Sequence, residues 1–214
     1  MPGSLQEALK IGNAELRGEA VELLPMREAH ADALWQACSD QRIWQWLTHP
    51  MESRDDMHAF VLEAMRHLEQ GTEFPLVVIE RRSGEVIGST RLMDIQLKDR
   101  NCEIGGTFYA PQFWRTRVNT ECKYLLLRHC FEALDMVRVQ LKTDLRNTRS
   151  QAAILRLGAV KEGVLRHHRI LWNGRMRSSV YYSILAEEWP AVEERLEGWL
   201  SQEGKSALSP KLKD

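Results

Sequence analysis

Four cysteines in 214 residues are too few for a disulfide framework, and none of them forms a C-x-x-C pair. Cys38, Cys102, Cys122 and Cys130 therefore read as reduced, packed thiols of an intracellular chain. A chain of this length buries enough surface to need no covalent staples. Excess charge is also missing. The formal net charge is -1, which excludes a nucleic-acid binder driven by phosphate contacts. No stretch approaches the ~18 consecutive apolar residues of a membrane span. The first twenty residues contain no apolar core of a secretory signal. These gaps together predict a soluble, cytoplasmic protein with no membrane and no nucleic-acid partner. Internal repeats and low-complexity tracts are absent too. His167 and His168 are adjacent on an expected strand and so point to opposite faces, and no second ligand cluster accompanies them. No metal is expected.

What is present is ordinary for a globular domain: 43% hydrophobic and 28% charged residues. Residues 20–26 read as a strand. Residues 27–40 carry apolar side chains at helical spacing, and 41–50 form a Trp-rich loop with Trp44 and Trp46. Ser53, followed by Asp55 and Asp56, opens a second helix that Gly71 follows. Three strands come next, at 75–81, 86–95 and 102–109. Residues 118–134 form a strong helix, and 137–144 alternate as a strand. A short helix over 147–157 stops at Gly158. Strands at 160–171 and 176–185 meet at Asn173-Gly174, a strong hairpin signal, and 187–200 close the chain with a helix. The order β-α-α-β-β-β-α-β-α-β-β-α describes an α/β (α+β) domain, a mixed twisted sheet of about seven strands with helices on both faces. One domain is expected over residues 16–200, between a flexible N-terminal segment (1–15) and a flexible tail (201–214).

Several motifs fall in a fixed order on these elements. Glu103-Ile104-Gly105 lies on a strand. Ala110-Pro111-Gln112-Phe113-Trp114 follows, and Val118-Asn119-Thr120-Glu121 opens a helix. Asp144 to Ser150, Leu157-Gly158-Ala159, Glu162 to Arg166 and Tyr181-Tyr182 complete the set. Taken together, the set resembles the GNAT acetyltransferases, in particular the RimJ/RimL-type branch that includes ribosomal-protein-alanine N-acetyltransferases. The resemblance runs from about Leu16 to Leu200.

That resemblance implies an acetyl-CoA-dependent N-acetyltransferase acting on a primary amine, either a protein N-terminus or a small molecule. It also implies a homodimer. A strand leading into a helix N-terminus presents free N–H groups that favour a pyrophosphate. Here that junction spans Gln112, Arg115, Thr116, Arg117, Val118, Asn119 and Thr120, the expected CoA-binding segment. Arg115 and Arg117 stand where the family has glycines, so restoring glycine is expected to tighten CoA binding. By resemblance, Asn147 contacts the pantetheine arm, although an asparagine there can equally cap the following helix. Glu103 is the candidate base that deprotonates the amine, or else a buried, satisfied carboxylate. Ser150 is the candidate proton donor to the leaving thiolate, since the position where many relatives carry a tyrosine is Ile154. Gly105-Gly106 predicts a bulge that splays two strands. Trp44 and Trp46 either pack the helices or wall the acceptor pocket. A non-enzymatic CoA-binding scaffold is the rival reading.

Overall fold

The computed structural model describes Leu9, residues 16–48 and residues 50–208. Seven strands form one sheet in the order β1-β2-β3-β4-β5-β7-β6. They are β1 (Val21–Pro25), β2 (Glu73–Glu80), β3 (Val86–Gln96), β4 (Asn101–Tyr109), β5 (Arg138–Asp144), β6 (Val160–Ile170) and β7 (Met176–Leu185). Every neighbouring pair is antiparallel except β4 and β5. That one parallel junction requires a crossover, which α4 (Arg117–Arg128) supplies.

The remaining α-helices among the described residues are α1 (Ala31–Cys38), α2 (Gln41–Trp44), α3 (Arg54–Glu69), α5 (Thr148–Leu157) and α6 (Trp189–Leu208). The start of α3 follows from a reciprocal capping box: the Ser53 hydroxyl accepts from Asp56 N–H, and Asp56 accepts from Ser53 N–H. α5 ends because Gly158 adopts φ 107°, a left-handed stop.

The sheet has an apolar layer on each face. On one side, alternate residues of β5 and β7 (Val139, Leu141, Val180, Tyr182) pack with Cys122 and Leu125 of α4 and Leu196 of α6. On the other, Val77 and Phe108 pack with α1, α2 and α3. All four cysteines are free and buried. Among the described residues no helix is long and apolar enough to cross a membrane.

Two expectations shift. The segment 41–50 reads as loop in sequence, but it contains α2, because Asp40 accepts from Arg42 N–H and caps a short turn. The closing helix does not end at Leu200; it runs on through Leu208, and residues 209–214 lie outside the described residues. The N-terminal segment 1–15 also lies outside them apart from Leu9. That residue is fully buried, and its carbonyl is 2.7 Å from His129 Nε2.

Candidate active site

β4 and β5 are paired only over Asn101–Glu103 and Arg138–Gln140. Beyond Glu103 the strands diverge. The cause lies in β4. Its register against β3 slips between Ser89 and Arg91, opposite Gly105, Gly106 and Thr107, and Gly106 takes φ 57°. This is the bulge anticipated from the glycine pair. A Cβ at Gly105 would lie 2.8 Å from Glu103 Oε1 and from Met93 Sδ, so those side-chain ends would have to shift.

The divergence opens a cavity of about 780 Å³ that runs from the α4 N-terminus to Glu103 and onward to β6 and β7. Glu103 lines it, 1% exposed. Its Oε2 accepts from Gln140 Nε2 at 2.8 Å and lies 2.8 Å from Lys142 Nζ. Both partners bind the same oxygen.

At the other end, Arg115, Thr116 and Asn119 line the cavity. Thr116 caps α4, its hydroxyl accepting from Val118 N–H at 3.4 Å. Arg115 holds φ 61°. The left-handed bend that glycine would supply is therefore kept, at a strain cost for a residue with a Cβ. Trp114 closes this end. Its ring lies under the Arg149 guanidinium at 4.3 Å and the Arg42 guanidinium at 5.5 Å.

Asn147 and Ser150 also line the cavity. The Asn147 side chain caps α5 by accepting from Ser150 N–H at 3.0 Å, so the cap is real and its other face meets the cavity. Ile154, 7% exposed, completes this wall.

Four residues of the expected cofactor segment do not face the cavity. Gln112 is exposed on the short turn before α4. Val118 is 3% exposed within the apolar core. Thr120 is buried and accepts from Arg156. Arg117 turns away because carboxylates claim it: Glu19 at 2.9 Å and Glu121 at 3.5 Å. Trp44 is core, not pocket wall. It is 1% exposed, packs on Phe60 and Phe108, and donates to the Cys38 carbonyl. Trp46 does line the cavity, with Arg175 stacked 5.7 Å from its ring.

The cavity also holds side chains that sequence reasoning passed over. Lys123 is 6% exposed and donates to Thr107 Oγ1 at 2.7 Å. Burial lowers its pKa to about 8, against the pull of Cys122 and Glu103. The signal was available: Thr116, Asn119 and Lys123 recur at helical spacing along one face of α4. Arg91, buried over Phe60 and paired with Glu73 at 2.7 Å, lines the wall as well. None of the four thiols does. Burial pushes Cys38 and Cys122 up to about 12, which leaves them poor nucleophiles. Among the described residues there is no cluster of three or more metal-ligating side chains.

Comparison with known proteins agrees with this geometry. An acetyltransferase (GNAT) domain model matches residues 20–160. The provisionally named ribosomal N-acetyltransferase YdaF of Bacillus subtilis is 31% identical over 106 residues, 50% of this chain. The match spans only 57% of YdaF's length. A structure from T. thermophilus, assigned provisionally as an acetyltransferase, is 36% identical and superposes with a TM-score of 0.79 over 86% of this chain and 96% of its own. Mycobacterium smegmatis RimJ, solved with CoA-disulfide, has a TM-score of 0.71 over 83% of this chain and 88% of its own. At 23% identity, that likeness is one of fold. The chain belongs to the GNAT acetyltransferase family.

Proposed function

We propose that this chain transfers an acetyl group from acetyl-CoA directly to a primary amine, through a ternary complex and without an acyl-enzyme. The observation that carries the reading is the divergence of β4 from β5 past Glu103, which joins the α4 N-terminus and a buried carboxylate in one cavity.

The residues present fit acetyl-CoA. Thr116 and Asn119 bring the α4 N-terminus, the positive end of the helix dipole, to the cavity. That terminus and Arg115 suit the pyrophosphate, and Asn119 and Asn147 line the path of the pantetheine arm. Bound there, CoA supplies an activated acetyl thioester. The chain's own residues handle the protons. Glu103 accepts one from the incoming ammonium, which frees the nitrogen lone pair to form the N–C bond as the C–S bond breaks. Its Oε2 is already held by Lys142 and Gln140, which fixes the carboxylate and leaves Oε1 to take the proton. The Ser150 hydroxyl, which lines the same cavity, supplies a proton to the departing thiolate and is restored by the second proton that the nitrogen sheds as it becomes an amide. Direct transfer agrees with the placement of the thiols away from the cavity.

The acceptor is a small amine or a protein N-terminus. A CoA-binding scaffold is the second reading, favoured by Ile154 at the position where relatives have tyrosine. Thiol release from acetyl-CoA across a mixed amine and peptide panel separates the two. Turnover above the uncatalysed rate with any acceptor supports the transferase, and CoA binding without turnover supports the scaffold.

A further inference from the structure

On the sheet face that carries Glu103, most cations already have an anion. Lys142 has Glu103, Arg91 has Glu73, and Arg175 has Asp144, each within 2.8 Å. Arg169 and Arg177 form no ion pair among the described residues, yet both line the cavity. They are direct partners across β6 and β7, where like charges repel. Arg177 is 9% exposed, and its Nε is buried without a hydrogen-bond partner. Of the two acids that act on it, Asp144 is already engaged by Arg175 Nη2 at 2.7 Å and Arg146 N–H at 2.8 Å, and Glu103 by Lys142. A buried guanidinium that lacks an anion is costly.

The juxtaposition is built by an irregularity in the strand. β6 leaves register between Leu165 and Arg169, and His167 takes φ 50°. That left-handed turn, strained for a residue with a Cβ, resets the strand so that Arg169 falls opposite Arg177. Bulges of this kind re-aim side chains beside active sites.

We propose that Arg177, assisted by Arg169, receives a carboxylate of the acceptor, so that the acceptor is a small molecule carrying both a primary amine and a carboxylate. The proposal rests on the acetyltransferase reading above. Glu103 draws the ammonium end and the arginine pair draws the carboxylate end, which orients the amine toward the thioester. A guanidinium fork matches a carboxylate with two parallel hydrogen bonds. CoA phosphates are the other available anions, but the layers of the fold place them elsewhere. α4 packs on the face formed by Val139, Leu141, Val180 and Tyr182. Alternation puts Lys142, Arg177 and Tyr181 on the opposite face, with Glu103. The cavity of about 780 Å³ must hold the pantetheine arm and acyl end of CoA as well as the acceptor, which leaves room suited to a small molecule.

The test has a binding arm and a turnover arm. Calorimetry on the CoA-loaded protein compares N-acetyl α- and ω-amino acids with their matched carboxamides. Thiol release compares the corresponding free amino acids and amides. Wild type, Arg177→Met, Arg177→Lys and Arg169→Gln are assayed alike, with separate titrations of CoA and dephospho-CoA. At least one acid should bind about tenfold more tightly than its amide in wild type. Arg177→Met should abolish that preference and Arg169→Gln should reduce it, with CoA affinity unchanged. If Arg177→Met does not fold, Arg177→Lys and Arg169→Gln carry the comparison. Acids and amides binding alike across the panel would overturn the proposal, as would a preference that survives the variants. So would a selective loss of CoA over dephospho-CoA affinity, which would assign the arginines to a CoA phosphate. Acid-selective binding with no thiol release from any amine would leave this site standing and sink the transferase reading instead.

Discussion

Lys142 Nζ and Glu103 Oε2 lie 2.8 Å apart inside the sheet, the lysine side chain 11% exposed and the carboxylate 1%. The pair leaves one carboxylate oxygen for the acceptor amine. Glu103→Gln keeps the shape and the Gln140 contact but removes the basic lone pairs. Turnover should fall by about 10² to 10⁴, while CoA affinity by calorimetry stays near wild type. A folded variant with wild-type rates between about pH 6 and 9 would assign Glu103 a structural role and place the base elsewhere.

Arg115 and Arg117, which look equivalent in sequence, have opposite roles. Arg115 holds a left-handed φ of 61° and lines the cavity, whereas Arg117 occupies the first turn of α4 and pairs with Glu19 and Glu121. Arg115→Gly should relieve strain of about 1 kcal/mol and leave CoA affinity equal or tighter. Arg117→Gly should lower the unfolding midpoint in urea. The expectation that glycine at both positions acts together therefore divides in two. Weaker CoA binding by Arg115→Gly, with a shallower salt dependence, would show that the arginine itself holds phosphate.

The order of elements was legible because helical and alternating patterns are local. Glu103, Asn147 and Ser150 could be placed beside the cavity for the same reason: each sits by a strand bulge or a helix cap that short motifs mark. Trp44 could not be told from Trp46, because the outcome depends on the turn made by α2. Lys142 as the partner of Glu103 depends on the pairing of β4 with β5, strands separated by a whole helix, and Arg177 facing Arg169 depends on an irregular register within the hairpin of β6 and β7. The hairpin irregularity centres on His167, where no glycine announces it.

Glu121 accepts three backbone N–H groups, from Glu19 at 2.7 Å, Ala20 at 2.8 Å and Val21 at 2.9 Å. A single side chain of α4 thus fixes the entry of β1 into the sheet. Hydrogen bonds to a charged group contribute about 1.5–3 kcal/mol each. Glu121→Gln retains one acceptor oxygen and turns an amide toward N–H donors, so it should destabilise the fold by about 2–4 kcal/mol. Urea unfolding at neutral pH measures this directly. A loss below about 0.5 kcal/mol, the range of ordinary surface substitutions, would show that β1 docks without the carboxylate.

Lys123 gives stability a pH dependence whose sign is fixed by its burial. Its pKa is lowered to about 8 in the folded chain, from an ordinary value of 10.5. Below about 8 both states carry the proton, and the folded state bears the full cost of a buried ammonium. Between about 8 and 10.5 the unfolded chain binds more protons, so stability rises with pH through that window. At 1.36 kcal/mol per pKa unit, the gain is about 3 kcal/mol. Lys123→Met keeps the side-chain volume and removes the charge. It should stabilise the protein at pH 7, where the Thr107 hydroxyl loses a donor but retains its contact with Thr90 Oγ1 at 2.8 Å. The difference between variant and wild type should then shrink as pH climbs toward 10.5. Denaturant unfolding of both proteins across this range, read as that difference, cancels the titration of groups they share. A difference independent of pH would mean that Lys123 stays charged in the folded protein, stabilised by Glu103 more strongly than burial opposes it.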